Sequence, residues 1–290
     1  PITRAVAPAL DGALVHPQLL AGTLLACARA HRLVDQHKRL TAIRGVDQAS
    51  SPVPQIAEEW GASEDGLTWT YNLRDDVTFS DGEPLTSKLL KGAIRRAFTE
   101  HGVASEDFIV SHGAQTAIGH ELGFGPIAAN EPIVIDLWPK DPESACYADM
   151  TRTYVVGTPS DELVEYHRLV KEALDRSLEA TKAGVPGIQI FQLVCELFEE
   201  AGQKTVLSKA PGEVLENGFF HGLGHGVGLE VHEAPNLGRG GTMELVPGDV
   251  VTLEPGLYRQ GFGGCRLEDI VLVTEDGAEN LTEFPYDLTP

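Results

Sequence analysis

Five ionisable side chains stand where their types are out of place, and together they could do chemistry. The stretch VIDLWPKDPESACYADMTRT puts Asp136 at the end of one apolar run and Asp149 inside the next. Pro139, Lys140, Asp141, Pro142, Glu143 and Ser144 between them have the composition of a turn. A hairpin there would bring the two carboxylates side by side, and buried carboxylates that close ionise together only with cations between them. FFHGLGHGVGLEVHEAP carries His221, His225 and His232 among glycines. Glycine lets a backbone approach closely, and imidazole is both a common metal ligand and a proton carrier near neutral pH. VVTLEPGLY places Glu254 in an apolar strand, and GCRLEDIVLV does the same with Glu268, two residues after Arg266 and on the same strand face. Taken singly, each has a bland explanation: a strand-end carboxylate facing solvent, or a satisfied core histidine. Two Asp, one His and two Glu in one chain instead form an oxygen-rich set. Such a set suits two divalent ions better than a sulfur-rich zinc site would. Paired metals roughly 3.5–4 Å apart can share a bridging water, lower its pKa and polarise a carbonyl.

The sequence also resembles a known superfamily. IVSHGAQTAIGH, IVIDLWPKDPESACYADMTRTYVVG, FFHGLGHGVGLEVHEAP, VTLEPGLY and CRLEDIVLVTEDGAENLT occur in that order. Together they resemble the creatinase/methionine-aminopeptidase superfamily, and within it the proline-directed branch of prolidase and aminopeptidase P. The resemblance implies a pita-bread fold of class α+β, a pseudo-twofold antiparallel sheet with helices packed on its outer face. It implies hydrolysis of Xaa-Pro peptide bonds by a metal-bridging hydroxide, on peptides with proline at the second position. Metal ligands would be Asp136, Asp149, His225, Glu254 and Glu268, with Glu254 also carrying a proton. His120, from IGHE, and His232, from EVHEAP, would be catalytic and handle substrate. His221 would lie near the substrate, and Arg266 would orient Glu268 or a neighbouring acid. The cofactors implied are two divalent ions, Mn²⁺ or Co²⁺ first, with Fe²⁺ or Zn²⁺ as alternatives. A homodimer is the assembly the branch suggests. Methionine aminopeptidases share the scaffold, and an inactive peptide-binding or scaffolding relative is a further alternative.

Two features depart from that pattern. The Asp136–Asp149 connection is two residues longer than is usual in the family, which lengthens a hairpin without changing side-chain parity. Residues 1–82 form a short atypical N-terminal segment ahead of a catalytic domain expected over 83–290, and residues 52–86 resemble the opening lobe of oligopeptide-binding proteins.

The elements that must position these residues are partly legible. Gln18 to about Leu40 reads as a loosely periodic helix, and residues 45–56, with Gly45, Ser50, Ser51, Pro52 and Pro54, as loop. Residues 67–79 alternate Leu67, Trp69, Tyr71 and Leu73 with polar residues, the period of a strand, and Ser80-Asp81-Gly82 reads as a turn. Thr86 or Ser87 caps a predicted helix to about His101, with Leu89, Leu90, Ala93, Ile94, Ala97 and Phe98 on its apolar side and Gly102 as its stop. Ser160 caps a second, to residue 182, with Leu163, Tyr166, Leu169, Val170, Ala173 and Leu174 inward. A third runs from about Ile188 to Ala201. Strands before, between and after these helices point independently to an α+β fold.

Composition narrows the function classes. The formal charge of −21 over 290 residues argues against nucleic acid or anionic membrane as partners. Cys27, Cys146, Cys195 and Cys265 are widely spaced without a CxxC pair. They read as reduced thiols of a cytoplasmic protein. Residues 1–30 lack the order of a signal peptide, and no apolar run approaches the roughly 20 residues that span a bilayer.

Overall fold

In the computed structural model, the chain is described over residues 85–289, preceded by the backbone pairing of four short strands. These are β1 (Gly45–Val46) with β2 (Pro52–Val53), and β3 (Ala57–Ala62) with β4 (Trp69–Leu73), each pair antiparallel. β4 falls inside the strand predicted over 67–79. The expected helix at 18–40 and the turn at 80–82 lie outside the described residues.

The first half is built on α1 (Ser87–Glu100) and an antiparallel sheet of β5 (Ile109–His112), β6 (Pro132–Leu137) and β7 (Met150–Val155). Thr86 is the N-cap, its hydroxyl accepting the Leu89 N–H at 3.2 Å. Such a cap contributes about 1 kcal/mol. Gly102, at φ +73°, takes the left-handed conformation that stops the helix. Leu90, Ile94, Ala97 and Phe98 are buried against the sheet, with Phe98 edge-on to Phe108 at 5.6 Å. Leu89, expected on the same side, is 44 % exposed. The buried stripe runs 87, 90, 94, 97, and position 89 is rotated about 100° away from position 90.

α2 (Asp161–Ala180) begins after Ser160, whose hydroxyl accepts the Leu163 N–H at 3.3 Å. Asp161 and Glu162 lie in its first turn, where the helix dipole favours them. All six apolar residues predicted to face inward are buried. α3 (Gly187–Glu200) follows, and Gly202 (φ +77°) lies beyond its end. Both helices pack on a second set of strands through one core that includes Leu174, Phe191, Phe198, Phe219, Leu253 and Leu257.

That second set comprises β8 (Asn217–Gly218), β9 (His225–Gly226), β10 (Glu233–Asn236), β11 (Val250–Leu253), β12 (Gly256–Arg259), β13 (Gly263–Arg266), β14 (Asp269–Val273) and β15 (Ala278–Asn280). They form two antiparallel sheets, ordered β10-β9-β11-β14-β15 and β13-β12-β8. Side chains and single backbone bonds close the seam between β7 and the β13–β14 turn. Thr153 Oγ1 donates to Arg266 O at 2.8 Å and accepts the Arg266 N–H at 2.9 Å, and Glu268 N–H donates to Thr151 O at 3.0 Å. Helices therefore cover strands that meet, on their other side, at this seam. Among the described residues no helix is long and apolar enough to cross a membrane.

Candidate metal centre

Both expected aspartates come from one hairpin. β6 and β7 pair with Asp136 opposite Thr151, so Asp136, Thr151 and, two residues earlier, Asp149 share one face. The long connection is ordered by a Lys140–Tyr147 bridge and by Asp141 Oδ2, which accepts from Ser144 N and Oγ at 2.9 and 2.7 Å. Asp149 lies one residue before β7 rather than inside it, and Glu254 directly follows β11.

Across the seam stand His225 on β9 and Glu268 between β13 and β14. Ligand atoms of Asp149, His225 and Glu268 all lie within 4.8 Å of one another, and all three residues are buried. His225 Nε2 is 3.9 Å from Asp149 Oδ2 and 3.6 Å from Glu254 Oε1. Its Nδ1 is 3.1 Å from Gly226 O. A carbonyl only accepts, so Nδ1 carries the proton and the Nε2 lone pair faces the carboxylates. Gly224 permits this approach: a Cβ there would lie 1.9 Å from Thr252 O.

The carboxylates repel one another. Burial, then Glu268, Asp136 and Glu254, holds the Asp149 carboxyl well above its ordinary range. Burial, then Glu254 and Asp136, does the same to Glu268. Burial foremost raises Glu254 to about 7, Asp136 adding to the rise and Arg266 opposing it. Burial also depresses His225 to about 4, leaving a neutral imidazole. Asp149 Oδ1 is buried and accepts no hydrogen bond. A neutral imidazole lone pair, converging carboxylates and an orphaned buried oxygen are what a divalent cation requires, so these residues fit one.

Arg266 is the cation facing this cluster. It donates from Nη2 to Asp136 Oδ2 at 2.6 Å, from Nε to Thr151 Oγ1 at 3.3 Å and from Nη1 to Tyr258 OH at 3.2 Å. Burial works against its charge and is outweighed by Tyr258, Asp136 and Glu254. Thr151 Oγ1 in turn donates to Glu268 Oε2 at 2.7 Å. His221 has both ring nitrogens engaged, Nδ1 with Gly222 O at 2.7 Å and Nε2 with Tyr258 OH at 2.9 Å. Its Nδ1–H donates to the carbonyl, so Tyr258 donates to Nε2 and accepts from Arg266. Tyr258 and Thr151 lie in this network although neither belongs to the set of candidate site residues that the sequence marks. A buried phenol hydroxyl needs a partner, and that was the available signal for Tyr258. Thr151 reads only as a strand former.

His232 and His120 are exposed. The His232 ring lies 4.2 Å from that of His225, edge to face. His120 follows the 3₁₀ turn Gly113–Ala117, and the preceding Gly119 carbonyl lies 3.4 Å from Arg266 Nη1.

The sequence profile of metallopeptidase family M24 matches residues 65–275. The chain belongs to this family. An Xaa-Pro dipeptidase of Pyrococcus furiosus is 36 % identical over 187 residues, which cover 63 % of this chain and 49 % of that one. A probable dipeptidase PepE of Mycobacterium tuberculosis is 37 % identical over 142 residues, 49 % of this chain and 35 % of the relative. Among solved structures, the X-Pro aminopeptidase of Thermotoga maritima superposes with a TM-score of 0.63 at 34 % identity, covering 71 % of this chain and 55 % of that one. The chain thus spans about half the length, or less, of the curated relatives it matches. The fold is the α+β pita-bread architecture of M24 prolidases, as the sequence led one to expect. Membership of this metallopeptidase family implies divalent metal.

Proposed function

We propose that this chain is a dinuclear metal-dependent peptidase that hydrolyses Xaa-Pro bonds. The observation that carries the reading is the convergence of Asp149, His225 and Glu268 within 4.8 Å, with the His225 lone pair turned toward them. Similarity to proteins named Xaa-Pro dipeptidase and X-Pro aminopeptidase supports the substrate class. Asp136, Asp149, His225, Glu254 and Glu268 would hold two divalent ions, Mn²⁺ or Co²⁺ before Fe²⁺ or Zn²⁺. Such ions, when bound, would acidify a water and polarise the scissile carbonyl.

The chain's own residues do the rest. Glu254 accepts a proton from the attacking water and delivers it to the departing proline nitrogen, from its place directly after β11 and 3.6 Å from His225 Nε2. His120 and His232, both exposed, the latter with its ring 4.2 Å from that of His225, bind the peptide and donate hydrogen bonds to the carbonyl oxygen as it gains charge. Arg266 orients Asp136, and His221 lies beside the substrate while holding Tyr258 against Arg266. The catalytic unit is read as residues 83–290, acting as a cytoplasmic homodimer.

The test is metal removal by chelation, reconstitution with Mn²⁺ or Co²⁺, and assay on Ala-Pro, Ala-Pro-Ala and Met-Ala. Activity should return on the proline peptides and stay absent on Met-Ala. A metal-loaded protein that cleaves no Xaa-Pro peptide would sink the proposal.

A further inference from the structure

Arg152 is 1 % exposed, and strand alternation turns it away from the carboxylate face that Asp149 and Thr151 share. A buried guanidinium needs every donor satisfied, and this one has that. Nη1 forks between Thr151 O at 2.9 Å and Glu268 O at 2.7 Å. Nη2 donates to Asp269 Oδ1 at 2.8 Å and Phe284 O at 3.2 Å, and Nε to Pro285 O at 3.0 Å. Its guanidinium carbon stacks 4.3 Å from the centre of the Tyr286 ring. The Tyr286 hydroxyl and Asn280 Nδ2 hold the other oxygen of Asp269, at 2.5 and 2.7 Å.

One guanidinium nitrogen thus ties two carbonyls from opposite sides of the seam. Those carbonyls belong to the two residues whose side chains meet as Thr151 Oγ1 to Glu268 Oε2. We infer that Arg152 is a positioning residue that sets the placement of the Glu268 carboxylate from behind, and that the segment Phe284–Tyr286 is the strap that holds Arg152 to this task. This rests on the proposed reading of Glu268 as a metal ligand. Arg152 touches no ligand carboxylate; it acts through the backbone. A lysine could keep the charge but not the fork that reaches both carbonyls, the Asp269 carboxylate and the strap together. A salt bridge serving only the core would need Asp269 alone.

The experiment compares wild type, Arg152→Lys and Tyr286→Phe. Measured are the Mn²⁺ dissociation constant by calorimetry, well below each protein's melting temperature, the melting temperature of the metal-free form, and kcat and KM on Ala-Pro. Loss of outer-shell support should weaken Mn²⁺ binding about tenfold in Arg152→Lys and by a smaller factor, still above about twofold, in Tyr286→Phe. kcat should fall while KM holds. A drop in metal-free melting temperature with Mn²⁺ affinity unchanged in both variants would mean a purely structural role and would overturn the inference. Should Arg152→Lys fail to fold, Tyr286→Phe decides, and unchanged affinity there overturns it equally. If wild type itself binds no Mn²⁺, the ligand reading of Glu268 fails instead.

Discussion

Glu254 has two proposed duties, ligand and proton carrier, and substitution can separate them. Glu254→Gln keeps the shape and one ligand oxygen but cannot accept a proton. We expect kcat on Ala-Pro to fall by about 10²–10⁴-fold, the usual size of a general acid–base contribution, with a smaller change in KM. Steady-state kinetics with saturating Mn²⁺ would check this. The same carboxyls make the metal-free protein sensitive to pH. Asp149, Glu268 and Glu254 hold protons to higher pH when folded than when unfolded. For Glu254 the shift runs from 4.5 to about 7, so its stabilising contribution is full below 4.5 and lost as pH rises through about 7. The metal-free melting temperature should therefore fall across that window. Metal competes with those protons, so thermal shift on adding Mn²⁺ should grow over the same range. Tyr258→Phe tests the relay from His221 to Arg266. It leaves a buried Arg266 donor without its acceptor and should cost about 1–3 kcal/mol in denaturant unfolding.

At the scale of elements, glycines and caps make different predictions. Gly224→Ala would drive a Cβ to 1.9 Å from Thr252 O, against backbone that cannot swing aside. Overpacking of this kind costs about 1–3 kcal/mol or more, and here it would also shift His225. Ser160→Ala removes only a cap, about 1 kcal/mol, and should leave Mn²⁺ affinity unchanged. Denaturant melts with calorimetry on both variants would separate the two effects. Much of this scale was legible in the sequence. Caps, breakers and helical periodicity are local signals, so α1, α2 and α3 fall within a residue or two of their expected bounds. Leu89 was misplaced because a six-residue apolar stripe overstates the narrow face that α1 buries. Asp149, His225 and Glu268, which the fold draws together, stood out in the sequence as ionisable residues at the ends of apolar runs or among glycines. Thr151 and Arg152 do not show themselves this way, because their partners Glu268 and Asp269 lie across the seam, and Tyr258 does not because its bond to Arg266 depends on the β12–β13 register. Arg152 did carry a signal, a cation inside MTRTYVV, since arginine is seldom buried without partners.

For the whole molecule, the decisive fact is that the candidate centre straddles two halves. Asp136 and Asp149 come from the β6–β7 hairpin, while His225, Glu254 and Glu268 lie on or beside the strands that follow α3. Bound metal would tie the halves together and stabilise only the assembled form. Scanning calorimetry should show one sharper transition at higher temperature with Mn²⁺ than without. The separation in sequence has a consequence for how fast this centre can arise. Thr151 meets Glu268 across 117 residues, and Arg266 meets Asp136 across 130. Closing loops of that length is slow, and it comes only after local helices and hairpins have formed. The complete site needs Asp149 beside Glu268 and His225, and so forms only after that closure. Mn²⁺ should therefore leave the refolding rate nearly unchanged and slow unfolding instead, which stopped-flow fluorescence in denaturant would read directly.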